Sequence, residues 1–151
     1  MIGRVTVKKQ LTAGSVFSGV GMIDLAMSLA GFDIRWQIEI EDYPRKVLEK
    51  HREQFWRNST IFTDVRDVAS AELEAVDVIF GGFPCTNIST AGKREGIRDG
   101  TQSGLWFELA RLIRDLRPRA VLLENVARIT SQGKDETDGR PRPADLSVVI
   151  D

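Results

Sequence analysis

Apolar runs of strand length alternate along this chain with stretches in which apolar residues recur every three or four positions, the two periods that distinguish a strand from a helix. Leu11 to Phe17 is a short apolar run ending in the glycine-rich Ser18–Gly21, and Met22 to Ala30 keeps helical spacing until Gly31 stops it. Ile34 to Ile40 alternates as a strand does, and Asp42 with Pro44 opens a helix expected through Lys50. Thr60 to Phe62 and Val76 to Phe80 read as further strands. Leu105, Leu109, Leu112 and Leu116 share one helical face, with Trp106 and Ile113 beside it, and Pro118 ends that helix. Ala120 to Leu123 is expected as a final, buried strand. Strands alternating with helices predict an α/β fold: a parallel sheet joined by right-handed crossovers, with helices on both faces.

From Ser131 to Ser147 the pattern changes, since only Ala144 and Leu146 among 17 residues are apolar. Such a segment buries too little surface to order itself, so it reads as a polar loop or disordered tail. Val148, Val149 and Ile150 then look like the start of another element. The 151 residues, 42% hydrophobic and 28% charged, fit one ordinary domain and argue against a disordered, collagen-like or coiled-coil chain. One cysteine cannot form an internal disulfide, which predicts a reducing compartment. No apolar run approaches the roughly 20 residues that span a bilayer, and the first residues carry no export pattern. A cytoplasmic protein with no membrane partner is expected. A net charge of −1 excludes a blanket basic surface, so any nucleic-acid contact must be local or lie outside this chain.

In such sheets ligands bind beyond the carboxyl ends of the strands. Each polar or glycine-rich cluster falls at a predicted strand end: FSGVG, EIED, TDV, GGFPC and EN. Gly19 and Gly21 let the backbone turn tightly and approach a ligand at the next helix's amino terminus. Glu39 follows at the distance from which an acid accepts ribose hydroxyls in dinucleotide folds. These features fit a nucleoside-containing cofactor, and they fit equally a glycine-rich turn beside a surface glutamate. A nicotinamide cofactor fits poorly, because the third glycine of its fingerprint would fall at Asp24. Cys85 follows Pro84 at a strand end, with Glu124 and Asn125 ending the neighbouring strand. A thiol there is placed to attack an electrophilic carbon. The basic residues Arg111, Arg114, Arg117 and Arg119 read as the wet face of a core helix, His51 as solvated at a helix end, and the tryptophans as core.

In order and spacing, FSGVG, the acid of EIED, the aspartate of TDV, GGFPC, the AGKREGIRDG loop and LLENV resemble the opening motifs of the DNA (cytosine-5) methyltransferases, over about Gly14 to Val126. The resemblance implies a Rossmann-like S-adenosylmethionine-dependent methyltransferase fold, here truncated. Residues 1–130 would form a partial cofactor-binding and catalytic subdomain, and 131–151 a polar tail leading into a missing remainder. It implies S-adenosyl-L-methionine as cofactor, with Phe17 stacked on the adenine, Gly19 and Gly21 along the methionine moiety and Glu39 on the ribose. Ile40 would pack on the adenine ring, with Asp64 and Val65 at its edge. By the same resemblance Cys85 is the nucleophile, Glu124 grips the cytosine edge, and Asn125 and Pro84 shape the pocket. The target base would be flipped out of double-stranded DNA. Ser89, Lys93, Arg94 and Arg98 lie on a loop that would close over it near phosphates. No metal is implied.

Carbon 5 of cytosine is too poor a nucleophile to take a methyl group directly. A thiolate adding at carbon 6 makes it enamine-like, which divides one difficult step into two. Glu124 must carry or share a proton when it meets the ring nitrogen, and burial at a strand end would favour that form. The chain departs from the family's pattern at Met22, where a glycine is common, at Thr86, where glutamine commonly follows the PC pair, and at Gln102, near a frequent arginine. The family's arginine-bearing strand, its DNA-reading domain and its closing segment have no counterpart in these residues. The chain then reads as the front part of a catalytic domain, whether an expressed fragment, a truncated gene or one subunit of a split enzyme. Two readings follow: an enzyme whose full activity requires the missing half, or a non-catalytic cofactor-binding or assembly module. A complementing subunit with the target-recognition domain, or self-association, is the protein partner expected.

Overall fold

A computed structural model of the chain describes residues 9–82 and 105–124. Within them the element order is β1 (Thr12–Val16), α1 (Met22–Leu29), β2 (Asp33–Ile38), α2 (Asp42–Phe55), β3 (Thr60–Phe62), β4 (Val78–Gly81), α3 (Trp106–Leu116) and β5 (Ala120–Leu123), with a 3₁₀ turn at Ser70–Glu72. All strand pairs are parallel, in the order β3-β2-β1-β4-β5. The chain therefore builds outward from β1 in one direction through β2 and β3, then crosses back to add β4 and β5 on its other side. The expected α/β architecture is present, a five-stranded parallel sheet with helices on both faces.

One irregularity decides which side chains point where. Ala13 pairs with Ile34, but the next residue, Gly14, pairs with Trp36, so Arg35 is an extra residue in β2. A one-residue bulge reverses the facing of everything beyond it. Ile34 accordingly packs with Ala13, Met27, Leu48, Trp56 and Phe80 against α1 and α2. Trp36 and Ile38 instead join Val16, Val65, Ile79, Trp106, Leu109 and Leu112 under α3. Gln37 then lies on the α1 side of the sheet. All three tryptophans are buried, as expected of core residues.

The helices follow their apolar stripes. Leu109 and Leu112 of α3 are fully buried, each contributing roughly 1.5–3 kcal/mol, and Leu105 and Leu116 extend the contact. Arg117 closes α3 in the left-handed conformation, donating its N–H to the Ile113 carbonyl just ahead of Pro118. Helix α2 runs five residues beyond the expected Lys50, because Arg52, Glu53 and Gln54 are good helix formers and Trp56 anchors its end by donating Nε1–H to the Leu48 carbonyl. His51 consequently sits half-buried inside α2, its ring centroid 6.1 Å from that of Phe55, rather than solvated at a helix end. β5 also differs from expectation. It is an exposed edge strand among the described residues, with Val121 and Leu122 39% and 52% accessible, because no described helix covers it.

Candidate functional site

Parallel register brings five strand ends to one rim. Val16 pairs with Ile38 and with Gly81, Ile38 with Phe62, and Gly81 with Leu123, so these last residues lie abreast. The residues that follow, Phe17, Glu39, Thr63, Gly82 and Glu124, leave the sheet on the same edge. The reversal of strand order between β1 and β4 makes this the switch point at which ligands bind in open α/β sheets.

On the β1–β2 side the backbone itself shapes the rim. Phe17, Gly19 and Gly21 all take positive φ (57°, 55° and 83°), so the chain turns sharply out of β1 into α1. Gly21 donates its N–H to the Ser18 carbonyl and accepts from Leu25 at the start of α1. A Cβ on Gly21 would come within 3.0 Å of the side chains of Leu48 and Trp56, whereas one on Gly19 would meet nothing within 4 Å. The first glycine thus faces open space, and the second is packed down on α2. Phe17, half-buried, packs against the α3-side core.

Glu39 is only 7% accessible, which removes the reading of a surface glutamate beside a turn. Its Oε2 accepts the Gly19 N–H at 2.6 Å and its Oε1 the Glu41 N–H at 2.8 Å, so one carboxylate ties the glycine loop to the end of β2. Ile40 next to it is 52% accessible. Asp64 follows β3; the Arg66 guanidinium beside it holds its carboxyl below the usual range. Val65 turns inward and is buried with Trp106 and Leu109. On the β4–β5 side, Glu124 donates its N–H to the Gly81 carbonyl, and its carboxylate lies against Gly82. Glu124 is exposed rather than buried, because the edge strand that carries it is uncovered among the described residues. Given three strand spacings, Glu39 and Glu124 stand about 14 Å apart along the rim. Pro84, Cys85, Ser89, Lys93, Arg94, Arg98 and Asn125 lie outside the described residues.

Sequence reasoning missed two groups of residues beneath the rim. Asp24 of α1 is fully buried, and burial pushes its carboxyl up to about 6 against the opposing pull of bonds from Gln37 and Ser15. A polar residue set among Ile23, Leu25 and Met27 was its only signal. Arg111 of α3 donates from Nη2 to the carbonyls of Val65 (2.9 Å) and Val68 (3.1 Å), and from Nη1 to Ser70 Oγ. It therefore clasps the loop that bears Asp64, instead of belonging to a wet helix face; Arg114, Arg117 and Arg119 are exposed as expected.

No group of metal-ligating side chains occurs among the described residues, and no described helix is long and apolar enough to cross a membrane. The residues present fit a nucleoside: open space over Gly19, a held acid at Glu39 and an accessible apolar side chain at Ile40.

The family of C-5 cytosine-specific DNA methylases matches residues 11–138. The type II methyltransferase M.Bsp6I of Bacillus sp. is 34% identical over 128 residues, covering 84% of this chain and 39% of that protein. The type II methyltransferase M.FnuDI of Fusobacterium nucleatum is 36% identical over 122 residues, covering 81% of this chain and 34% of that protein. Among solved structures, one described as a DNA modification methyltransferase encoded within an E. coli prophage superposes with a TM-score of 0.61. It is 28% identical, and the match covers 80% of this chain and 33% of that one. The chain thus spans between a third and two-fifths of the length of these proteins.

Proposed function

The chain belongs to the C-5 cytosine-specific DNA methylases, and on that premise we propose that it carries the cofactor-binding and cytosine-activating part of a DNA (cytosine-5) methyltransferase. The observation that supports this most is the common rim. The glycine loop and Glu39 stand at one end of it, and Gly82 with Glu124 at the other, where the sequence continues through Pro84 to Cys85.

S-adenosylmethionine would occupy the β1–β3 side and, when bound, supplies an electrophilic sulfonium methyl. Glu39 would take the ribose hydroxyls on the lone pairs that its two backbone bonds leave free. Phe17 and Ile40 would flank the adenine, Asp64 and the Val65 backbone would meet its edge, and Gly19 and Gly21 would admit the methionine moiety. In duplex DNA the target cytosine would be flipped toward Glu124 and Cys85. The Cys85 thiolate adds at carbon 6 while Glu124 holds a proton at the ring nitrogen, leaving carbon 5 able to take the methyl group. Loss of the carbon 5 proton then expels the thiolate and restores the aromatic ring. Asn125 and Pro84 would shape the pocket, and Ser89, Lys93, Arg94 and Arg98 would approach the DNA backbone. The target-recognition function would come from outside these residues.

The test uses duplex DNA containing 5-fluorocytosine, which blocks the final proton loss and traps the adduct. With S-adenosylmethionine present, and with or without a complementing methyltransferase remainder, the chain should form a covalent complex that Cys85→Ser abolishes. An adduct that survives Cys85→Ser, or none under either condition, rejects the proposal.

A further inference from the structure

One arginine donates to three successive carbonyls just beyond the end of β2. We propose that Arg45 is a positioning residue for the acid of this pocket, holding the Glu39 carboxylate in place through the peptide that joins Ile40 to Glu41; this rests on the reading that Glu39 faces a ribose. Arg45 Nη1 donates to the Ile40 carbonyl at 3.1 Å and to the Glu39 carbonyl at 3.3 Å, and the Arg45 backbone N–H donates to the Glu41 carbonyl at 3.1 Å. Nη2 donates to Asp42 Oδ1 at 2.9 Å, which holds the guanidinium over the turn. The Arg45 side chain is 20% accessible, against 69% for its neighbour Lys46, so it lies along the turn instead of extending into water. The carbonyls of Glu39 and Ile40 fall between β2 and the first helical bond of α2. Among the described residues no other group donates to either.

A peptide group is planar, so its carbonyl and its N–H turn together. The Ile40 carbonyl that Arg45 grips shares its plane with the Glu41 N–H, which donates to Glu39 Oε1 at 2.8 Å. Fixing one end of that plane aims the other. The second oxygen of Glu39 accepts the Gly19 N–H at 2.6 Å, so the carboxylate is braced by the glycine loop on one side and by an arginine-held peptide on the other. A positive donor at the carbonyl also polarises the amide and strengthens its N–H as a donor to the acid. Arginine suits the place because Nη1 carries two protons for two carbonyls and leaves Nη2 for Asp42, whereas one ammonium would have to serve all three from a single nitrogen. The Asp42 pair by itself would be an ordinary contact between positions three apart on the first turn of α2. The two carbonyl bonds are what that contact leaves unexplained.

Arg45→Met keeps the apolar stem and removes the side-chain donors. Amide hydrogen exchange on the chain without ligand should show Glu41 exchanging about tenfold faster, while Leu48 in α2 and the β1–β4 ladder keep their rates. Calorimetry should show S-adenosylmethionine affinity lowered severalfold. In a Glu39→Gln background the same substitution should change affinity by less than about twofold, because its effect passes through that carboxylate. Unchanged Glu41 exchange, acceleration shared equally with Leu48, or equal affinity in wild type and Arg45→Met overturns the proposal, as does the full loss of affinity persisting beside Glu39→Gln. A wild-type chain that binds no S-adenosylmethionine yet shows the Glu41 effect rejects the ribose reading and leaves the hold on the carboxylate standing.

Discussion

Gly82 stands against the carboxylate of Glu124: a Cβ built on Gly82 would lie 2.8 Å from Glu124 Oε2 and 3.3 Å from its carbonyl oxygen. Only hydrogen at position 82 lets β4 lead toward Cys85 while the acid keeps its place on the neighbouring strand. Gly82→Ala should therefore push the carboxylate aside at a cost to folding of about 1–3 kcal/mol, since the flexible side-chain end yields easily but the Glu124 carbonyl oxygen must give as well. The 5-fluorocytosine adduct should form at least about tenfold more slowly, with S-adenosylmethionine affinity unchanged. An adduct rate equal to wild type would separate Glu124 from the chemistry.

Glu39→Gln removes one of two acceptor oxygens that satisfy backbone N–H groups at a nearly buried site. The new amide nitrogen must face either Gly19 or Glu41, donor against donor. Urea unfolding should show a loss of about 1–3 kcal/mol. On the ribose role proposed above for Glu39, calorimetry should show S-adenosylmethionine affinity lowered by about tenfold or more.

The pH dependence of stability should identify Asp24. Its carboxyl titrates near 6 in the fold against 3.8 when unperturbed, so the native state binds the proton more tightly than the unfolded chain. The resulting stabilisation is fully present below pH 3.8 and is lost as pH rises through about 6. The neutral-pH penalty is on the order of 3 kcal/mol, and Asp24→Asn does not bear it. The stability of Asp24→Asn relative to wild type should thus rise by about 2–3 kcal/mol between pH 4 and pH 7. A flat difference across urea titrations in that range would contradict the assignment.

Arg111→Ala should cost about 1–2 kcal/mol in urea unfolding, because the carbonyls of Val65 and Val68 and the Ser70 hydroxyl lose a charged donor. Amides around Asp64 should exchange faster while β1 keeps its protection. Arg111→Lys should recover less than half of the loss, since a single ammonium cannot reproduce a fork whose Nη2 meets both carbonyls while Nη1 meets Ser70 Oγ and Nε meets Glu108.

The strand and helix alternation is legible in the sequence because each element declares its own period: Leu109 and Leu112 mark α3, and Ile79 with Phe80 marks a strand buried on both faces. The clusters at strand ends are legible for the same reason, once the sheet is parallel. Features that depend on a distant partner are not. The extra residue at Arg35 leaves the β2 run looking regular, yet it alone sends Gln37 and Trp36 to opposite sides from those that simple alternation assigns. Asp24 meets Gln37 13 positions away, and Arg111 reaches Val65 46 positions away, distances at which no local pattern speaks. The exposure of β5 depends on what covers an edge, which its AVLL sequence does not state.

The order β3-β2-β1-β4-β5 also sets a timetable for a nascent chain. β1, β2 and β3 are neighbours both in space and in synthesis, so the ledge that carries Gly19 and Glu39 can assemble once residues through Phe62 have emerged. β4 must then return to β1, closing a loop in which Thr12 meets Asp77 across 65 positions. Such closure is slow. A ribosome-bound intermediate would thus hold the contact between Gly19 and Glu39 before it held the strand that carries Glu124.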